Sequence, residues 1–278
     1  MDDRVVDDAP PGAPAAAPAT SRSPPVRLNT LGFGDPPRWL AMGWRDLRRA
    51  PAISVFYGWC FVVMGWALQK VFEYAPAYTL ALSAGFLLMG PFLCLGLYRV
   101  SQKLEAGEAP DFGDSLLAWQ SRTSALAIFG FVLLILEMLW GRATLVIFAV
   151  SFDGMPDFKG SLRALMDPAN IEFTLVWLAV GAVFAGLIYA VSVVSIPMIL
   201  HRQTDAVTAG LTSLRLVLTQ TGVMLWWGLL ITVLIGLAML PWFMGLLVVG
   251  PLVGHASWHA YRAAVADETA ESGGRAGA

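Results

Sequence analysis

The sequence predicts an all-α polytopic membrane protein, with six transmembrane helices arranged as three hairpins and short amphipathic helices at the interface. Three observations predict it. Charged residues make up 14% of the chain, against roughly a quarter in a soluble domain. The charges gather at Met1–Arg49, Arg99–Arg122, Asp153–Glu172, Arg202–Arg215 and Arg262–Arg275. The stretches between them are apolar and long enough to cross a bilayer, which takes roughly 20 helical residues. Lipid-facing backbone has to satisfy its own hydrogen bonds, so each stretch reads as a helix. The ten-residue alternation of a membrane β-barrel is missing.

Residues 1–37 read as a disordered tail. The segment opens with acids and continues in Pro and Ala, without the basic start and apolar run of a signal peptide. Residues 38–265 form the predicted six-helix membrane domain, and 266–278 a second disordered tail. The spans are expected at about 51–69, 77–100, 124–151, 171–200, 219–240 and 242–261. The last two are divided at Leu240–Pro241, because proline cannot continue the helical hydrogen-bond ladder.

Each odd span follows a short amphipathic stretch ending in Arg: Trp44–Arg49, Leu116–Arg122 and Leu211–Arg215. Each even span carries a proline, Pro91, Pro197 or Pro251, and leaves through Tyr98-Arg99, His201-Arg202 or Tyr261-Arg262. The pattern reads either as a parallel threefold repeat or as the recurrence that interfaces impose on any membrane helix. The middle hairpin is longer, with extra residues at about Gly141–Asn170. There the third span is expected to project outward, followed by an amphipathic surface helix near Phe158–Met166.

Orientation follows from Lys and Arg. With the N-terminus inside, Arg38, Arg45, Arg48, Arg49, Arg99, Lys103, Arg122, Arg202, Arg215 and Arg262 share the cytoplasmic side. Lys70, Lys159, Arg163 and Arg142 fall opposite. Both termini are therefore expected in the cytoplasm. A net charge of −2 gives no reason to expect a nucleic-acid partner. Cys60 and Cys94 sit in apolar runs and read as small core residues.

Two groups of residues are candidates for chemistry. Glu137 and Arg142 lie within the third span, where a charge is costly and usually faces a partner, a wet cavity or the interface. The functional reading is an ion or proton site. His201, His255 and His259 are predicted at one depth, with Arg262 beside them. The i,i+4 spacing of His255 and His259 suits two metal ligands, or else three interfacial histidines bonded to headgroups, water or backbone. Gly181, Ala182, Ala185, Gly186 and Ala190 fall on four-residue spacings that allow close helix packing or homodimerisation. No phosphate loop, Rossmann fingerprint, Gly-x-Ser-x-Gly elbow or Cys-x-x-Cys is present. No catalytic residue, metal or cofactor is assigned, and the chain is not expected to be an enzyme.

The segments Ser195-Ile-Pro-Met-Ile-Leu-His-Arg-Gln-Thr-Asp-Ala-Val-Thr-Ala209 and Gly250-Pro-Leu-Val-Gly-His-Ala-Ser-Trp-His-Ala-Tyr-Arg262 resemble stretches of the bacterial integral membrane family called domain of unknown function 2189. The resemblance extends over most of the chain after about Arg38. It implies a bacterial inner-membrane location and no mechanism. It departs at His201, where the family is expected to carry an acid. Some relatives are labelled cytochrome c oxidase subunit I. That label does not transfer, because such a subunit needs far more spans and histidine ligands than this chain has.

Three functions compete. The first is a non-enzymatic scaffold, assembly or sensing protein acting on lipid, a membrane-protein partner or a second copy of itself. The second is a small transporter or channel using Glu137 and Arg142. The third is a metal or haem protein using the histidines. The sequence leaves substrate, partner and oligomeric state open.

Overall fold

The computed structural model of the chain describes residues 26–74, 79–151 and 171–266. Those residues form helices connected by short turns: α1 (Asp35–Arg49), α2 (Pro51–Tyr74), α3 (Thr79–Glu105), α4 (Phe112–Leu116), α5 (Thr123–Ser151), α6 (Ile171–Ser192), α7 (Ser195–Arg202), α8 (Ala206–Thr219), α9 (Thr221–Met239) and α10 (Leu246–Ala264). A 3-10 turn at Gln120–Arg122 joins α4 to α5. Four stretches are long and apolar enough to cross a membrane: Pro51–Tyr74, Thr123–Ser151, Ile171–Arg202 and Thr221–Met239. The second and sixth expected spans are helical, as α3 and α10, but do not qualify on length and composition. Polar residues occupy their ends: Arg99, Ser101, Gln102, Lys103 and Glu105 in α3, and His255, Ser257, His259 and Arg262 in α10.

α10 is the central helix. From Gly250 to Ala264 it buries residues all round its circumference, so its polar groups meet other helices. α1 lies along it. The buried residues of α1 are Pro36, Trp39, Gly43 and Asp46, a three-and-four spacing that makes one helical face. Gly43 lets the two backbones touch, since a Cβ there would stand 2.7 Å from the Ala256 nitrogen and 2.9 Å from the Leu252 oxygen. Gly58 does the same for α2, where a Cβ would fall 2.1 Å from the Leu247 oxygen. On the same buried face of α1, Trp39 meets Trp227 of α9 edge to face at 5.5 Å.

A short helix precedes each of α2, α5 and α9, as the sequence pattern anticipates. α8 is capped by Asp205, whose carboxylate accepts from the Val207 and Thr208 amides at 3.0 and 2.9 Å. A hydrogen bond from the Thr208 hydroxyl, together with those amides, holds the Asp205 carboxyl below its ordinary range.

Two features differ from the sequence expectation. Residues 26–34, assigned to the tail, are docked on the end of α10. The Asn29 amide donates to Ala264 O at 2.9 Å, the Ala266 amide donates to Arg27 O, and the Leu31 amide donates to the Gln220 side chain. These bonds satisfy backbone groups that the end of a helix leaves open. The fourth apolar stretch is broken at Val193–Val194. Pro197 has no amide to give, and Ser213 of α8 enters the ladder just ahead of it. Its hydroxyl donates to Ala190 O at 2.8 Å and accepts from the Val194 amide at 3.4 Å. A side chain inserted between a helical donor and its acceptor is a standard cause of a break. Pro91 and Pro251, by contrast, lie inside continuous helices. The division at Leu240–Pro241 is present as a turn with positive φ at Trp242 and Phe243. The expected surface helix near Phe158–Met166, with Lys159 and Arg163, lies outside the described residues.

Candidate functional site

The charges singled out in α5 do not act together. Glu137 stands 14 residues from either end of the helix, about 21 Å along it at 1.5 Å per residue. It is 7% exposed, while Arg142 is on the surface. Five residues turn a helix by about 140° beyond a full revolution, so the two side chains leave on different faces. Glu137 lines a cavity of about 370 Å³ between α5, α6 and Pro91 of α3, together with Trp140, Phe184 and Tyr189. No hydrogen bond or ion pair reaches its carboxyl among the described residues.

A second cavity, of about 560 Å³, lies between α2, α3, α9 and α10 and the α6–α7 break. Pro91, Tyr189 and Ser192 line both. The two spaces are therefore neighbours across one wall. Tyr189 is fixed there by its hydroxyl, which donates to Met224 O at 2.6 Å. Walls in the second space are mostly apolar, with Cys94, Tyr98, Tyr189, Ser192 and Ser257 as polar exceptions.

Other buried polar atoms accompany Glu137 on α5 and α6. Thr144 Oγ1 and Trp177 Nε1 have no hydrogen-bond partner among the described residues. Thr144 is two turns along α5 on the Glu137 face, and Trp177 is one turn along α6 from Gly181, which lines the Glu137 cavity. Buried polar atoms are nearly always partnered, so the α5–α6 pair carries polar groups that its own packing does not satisfy. The small residues of α6 were read from sequence as packing positions. Gly181 and Ala185 line this cavity, and Ala190 is buried in the core.

The histidines divide into two sets. His255 and His259 sit on the face of α10 turned to α1, α2 and α3. His259 Nε2 donates to Asp46 Oδ2 at 2.7 Å. His255 is wholly buried, with Nδ1 2.8 Å from Ser101 Oγ and Nε2 3.0 Å from Ser54 Oγ. The Ser54 hydroxyl donates to Ala50 O at 2.9 Å, so His255 Nε2 is the donor to Ser54. Burial pushes the Asp46 carboxyl up, but the hydrogen bond from His259 and the nearby imidazoles outweigh it and leave Asp46 below the ordinary carboxylate range. Asp46 thereby holds His259 and locks α1 to α10. Ser54 and His255 resemble a nucleophile with a base, yet both are sealed from any substrate.

His201 belongs elsewhere. Its Nδ1 is 2.9 Å from the Tyr261 hydroxyl, and its ring packs edge-on to Trp258 and Tyr261. The three imidazoles do not converge, and no cluster of three His, Cys, Asp or Glu suited to a metal occurs among the described residues. Arg262 donates to Glu105 at 3.0 Å, and Trp258 Nε1 donates to the same carboxylate at 2.9 Å. Sequence reasoning found the paired histidines but not Asp46, which is 213 residues away along the chain. The one local signal is the acid within the basic stretch Arg45-Asp46-Leu47-Arg48-Arg49.

Residues 78–201 match the family model described as predicted integral membrane protein (DUF2189). The resemblance read from the sequence holds over that stretch. The match ends at His201, so it contains Glu137, both α6 and the break before α7, and leaves out the Gly250–Arg262 segment. Neither the curated proteins nor the solved structures include a match to this chain.

Proposed function

We propose that this relative of the DUF2189 integral membrane proteins is a non-enzymatic, six-span inner-membrane protein that binds a lipophilic cation between its hairpins. One observation carries the reading: Glu137, at mid-helix, is buried against a 370 Å³ cavity with no protein partner among the described residues. A carboxylate at membrane depth calls for a counter-charge or water. The rings of Trp140, Phe184 and Tyr189 line the same space, and ring faces attract cations. The apolar second cavity offers room for the rest of an amphipathic ligand. Of the functions weighed from sequence, this favours the transporter reading, with Glu137 alone in place of the Glu137/Arg142 pair. The histidine reading has least support, because the imidazoles are taken up by protein partners.

α3 and α10 complete the three hairpins in this reading, their polar ends shielded by α1 and α4. The ion pair of Lys103 with Asp114 and that of Arg262 with Glu105 gather the basic ends of α3 and α10 beside α1 and α4. That supports a single basic side, facing the cytoplasm with both termini. Reporter fusions at each end should give cytoplasmic activity, and periplasmic activity at either would overturn the orientation. For the site, purified protein in nanodiscs should bind tetraphenylphosphonium saturably, and Glu137→Gln should weaken binding at least ten-fold while Arg142→Gln leaves it unchanged. Equal affinity in Glu137→Gln and wild type, or no saturable binding by wild type, would contradict the reading.

A further inference from the structure

α1 carries a second, unrelated feature. Arg45, Arg48 and Arg49 lie at i, i+3 and i+4 on its last turns, all exposed. Arg38 is 3.6 Å from Asp35, and Arg262 is bonded to Glu105. The three on the last turns have no such partner among the described residues. Cations are favoured at a helix C-terminus, but three on adjacent turns repel one another unless an anion joins them. They also surround space. A surface cleft of about 410 Å³ lies between Ala41, Trp44 and the three arginines. A second, of about 550 Å³ on the side facing α10, is lined by Arg38, Arg45, Arg49 and Arg262 and also by the carboxylates of Asp35, Asp46 and Glu105.

The helix that presents these groups is fixed. Gly43 brings its backbone against α10, and Asp46 bonds His259. α2, one of the membrane-crossing helices, begins at Pro51 immediately afterwards. The arginines therefore sit at the mouth of a span, at headgroup depth. Trp44 and Met42 are exposed on the same helix, as aromatic and apolar side chains are at the boundary between headgroups and acyl chains. We infer that the end of α1 is a binding site for an acidic phospholipid. Its phosphodiester lies among Arg45, Arg48 and Arg49, where planar guanidinium groups donate paired hydrogen bonds to phosphate oxygens. Its acyl chains run past Met42 and Trp44.

The test uses full-length protein in detergent, titrated with phosphatidylglycerol, phosphatidylcholine or inorganic phosphate and read by native mass spectrometry. Phosphatidylglycerol should bind at least ten-fold more tightly than phosphatidylcholine. Inorganic phosphate at millimolar concentration should not displace it. R45Q/R48Q/R49Q should weaken phosphatidylglycerol on the order of a hundred-fold, about five-fold per basic residue, and leave phosphatidylcholine unchanged. Lys70→Gln, at the far end of α2, should have no effect, and neither should Glu137→Gln, which separates this site from the intramembrane one. Equal affinity for the two lipids, an unaltered triple variant, or displacement by free phosphate would overturn the assignment. The single variant Arg48→Gln, expected to lose about five-fold, decides the matter if the triple variant does not fold.

Discussion

Removing the Asp46 carboxylate should unseat α1 from α10. Asp46 and His259 are 5% and 7% exposed, and their hydrogen bond is 2.7 Å. In Asp46→Ala, the His259 N–H loses its acceptor and Ser101 loses a neighbour inside a packed interface. Breaking a buried charged pair in this way costs about 3–5 kcal/mol. Asp46→Asn keeps the shape and an acceptor oxygen and loses only the charge assistance, about 1–1.5 kcal/mol. At about 2–4 °C per kcal/mol for a chain of this size, the melting temperature should drop by roughly 10 °C in Asp46→Ala and about 3–5 °C in Asp46→Asn. Cys60 and Cys94 are free thiols in the helical bundle, so a thiol-reactive fluorophore reports unfolding without added labels. The pH profile gives a sharper readout. The folded Asp46 carboxyl lies below its ordinary 3.8. Its contribution is thus complete above that value and is lost as pH falls through the folded value. The gap between wild type and Asp46→Asn should close as pH falls below 3.8. Two variants indistinguishable from wild type at pH 7, or a gap that persists in acid, would refute the proposed lock.

The close approach at Gly58 makes Gly58→Ala destabilising by about 1–3 kcal/mol, since backbone and not a side chain must move. Gly236→Ala, with nothing within 4 Å of the new Cβ, should melt no lower than wild type in the same assay. Asp205→Ala removes the α8 cap and should lower stability by about 1 kcal/mol, with Asp205→Asn retaining most of it. Ser213→Ala takes away the hydroxyl that closes the α6–α7 break. It should cost about 1–3 kcal/mol, and Ser213→Val should cost no less, since its added bulk leaves the same backbone groups unpaired.

The helices were legible because hydrophobic run length and the Arg stops are local signals. Pro241 marked the turn between α9 and α10 for the same reason. Pro197 gave only half of the α6–α7 break. The other half is the Ser213 hydroxyl, which arrives from a different helix and leaves no trace in the sequence near Val193. Glu137 was legible as a costly charge, and the five-residue step to Arg142, which turns the two groups to different faces, is equally local. The i,i+4 register correctly set His255 and His259 on one face. What that face meets, Asp46, Ser54 and Ser101, depends on how α1, α2 and α3 close around α10. His201 was grouped with them on depth alone, and depth does not specify azimuth. α3 and α10 read as spans because each contains an apolar half. Their polar ends count against membrane-crossing composition even though neighbouring helices cover them.

Reaction of Glu137 with a hydrophobic carbodiimide tests the intramembrane site most directly. The reagent partitions into the membrane, and a protonated carboxyl group that it can reach adds across its C=N bond to give an O-acylisourea, which rearranges to a stable N-acylurea. Peptide mass spectrometry of protein labelled in native membranes should find the adduct on Glu137, and tetraphenylphosphonium should protect it in proportion to occupancy. An unlabelled Glu137, or labelling that the cation leaves untouched, would mean that no ligand-accessible carboxyl group stands between the hairpins.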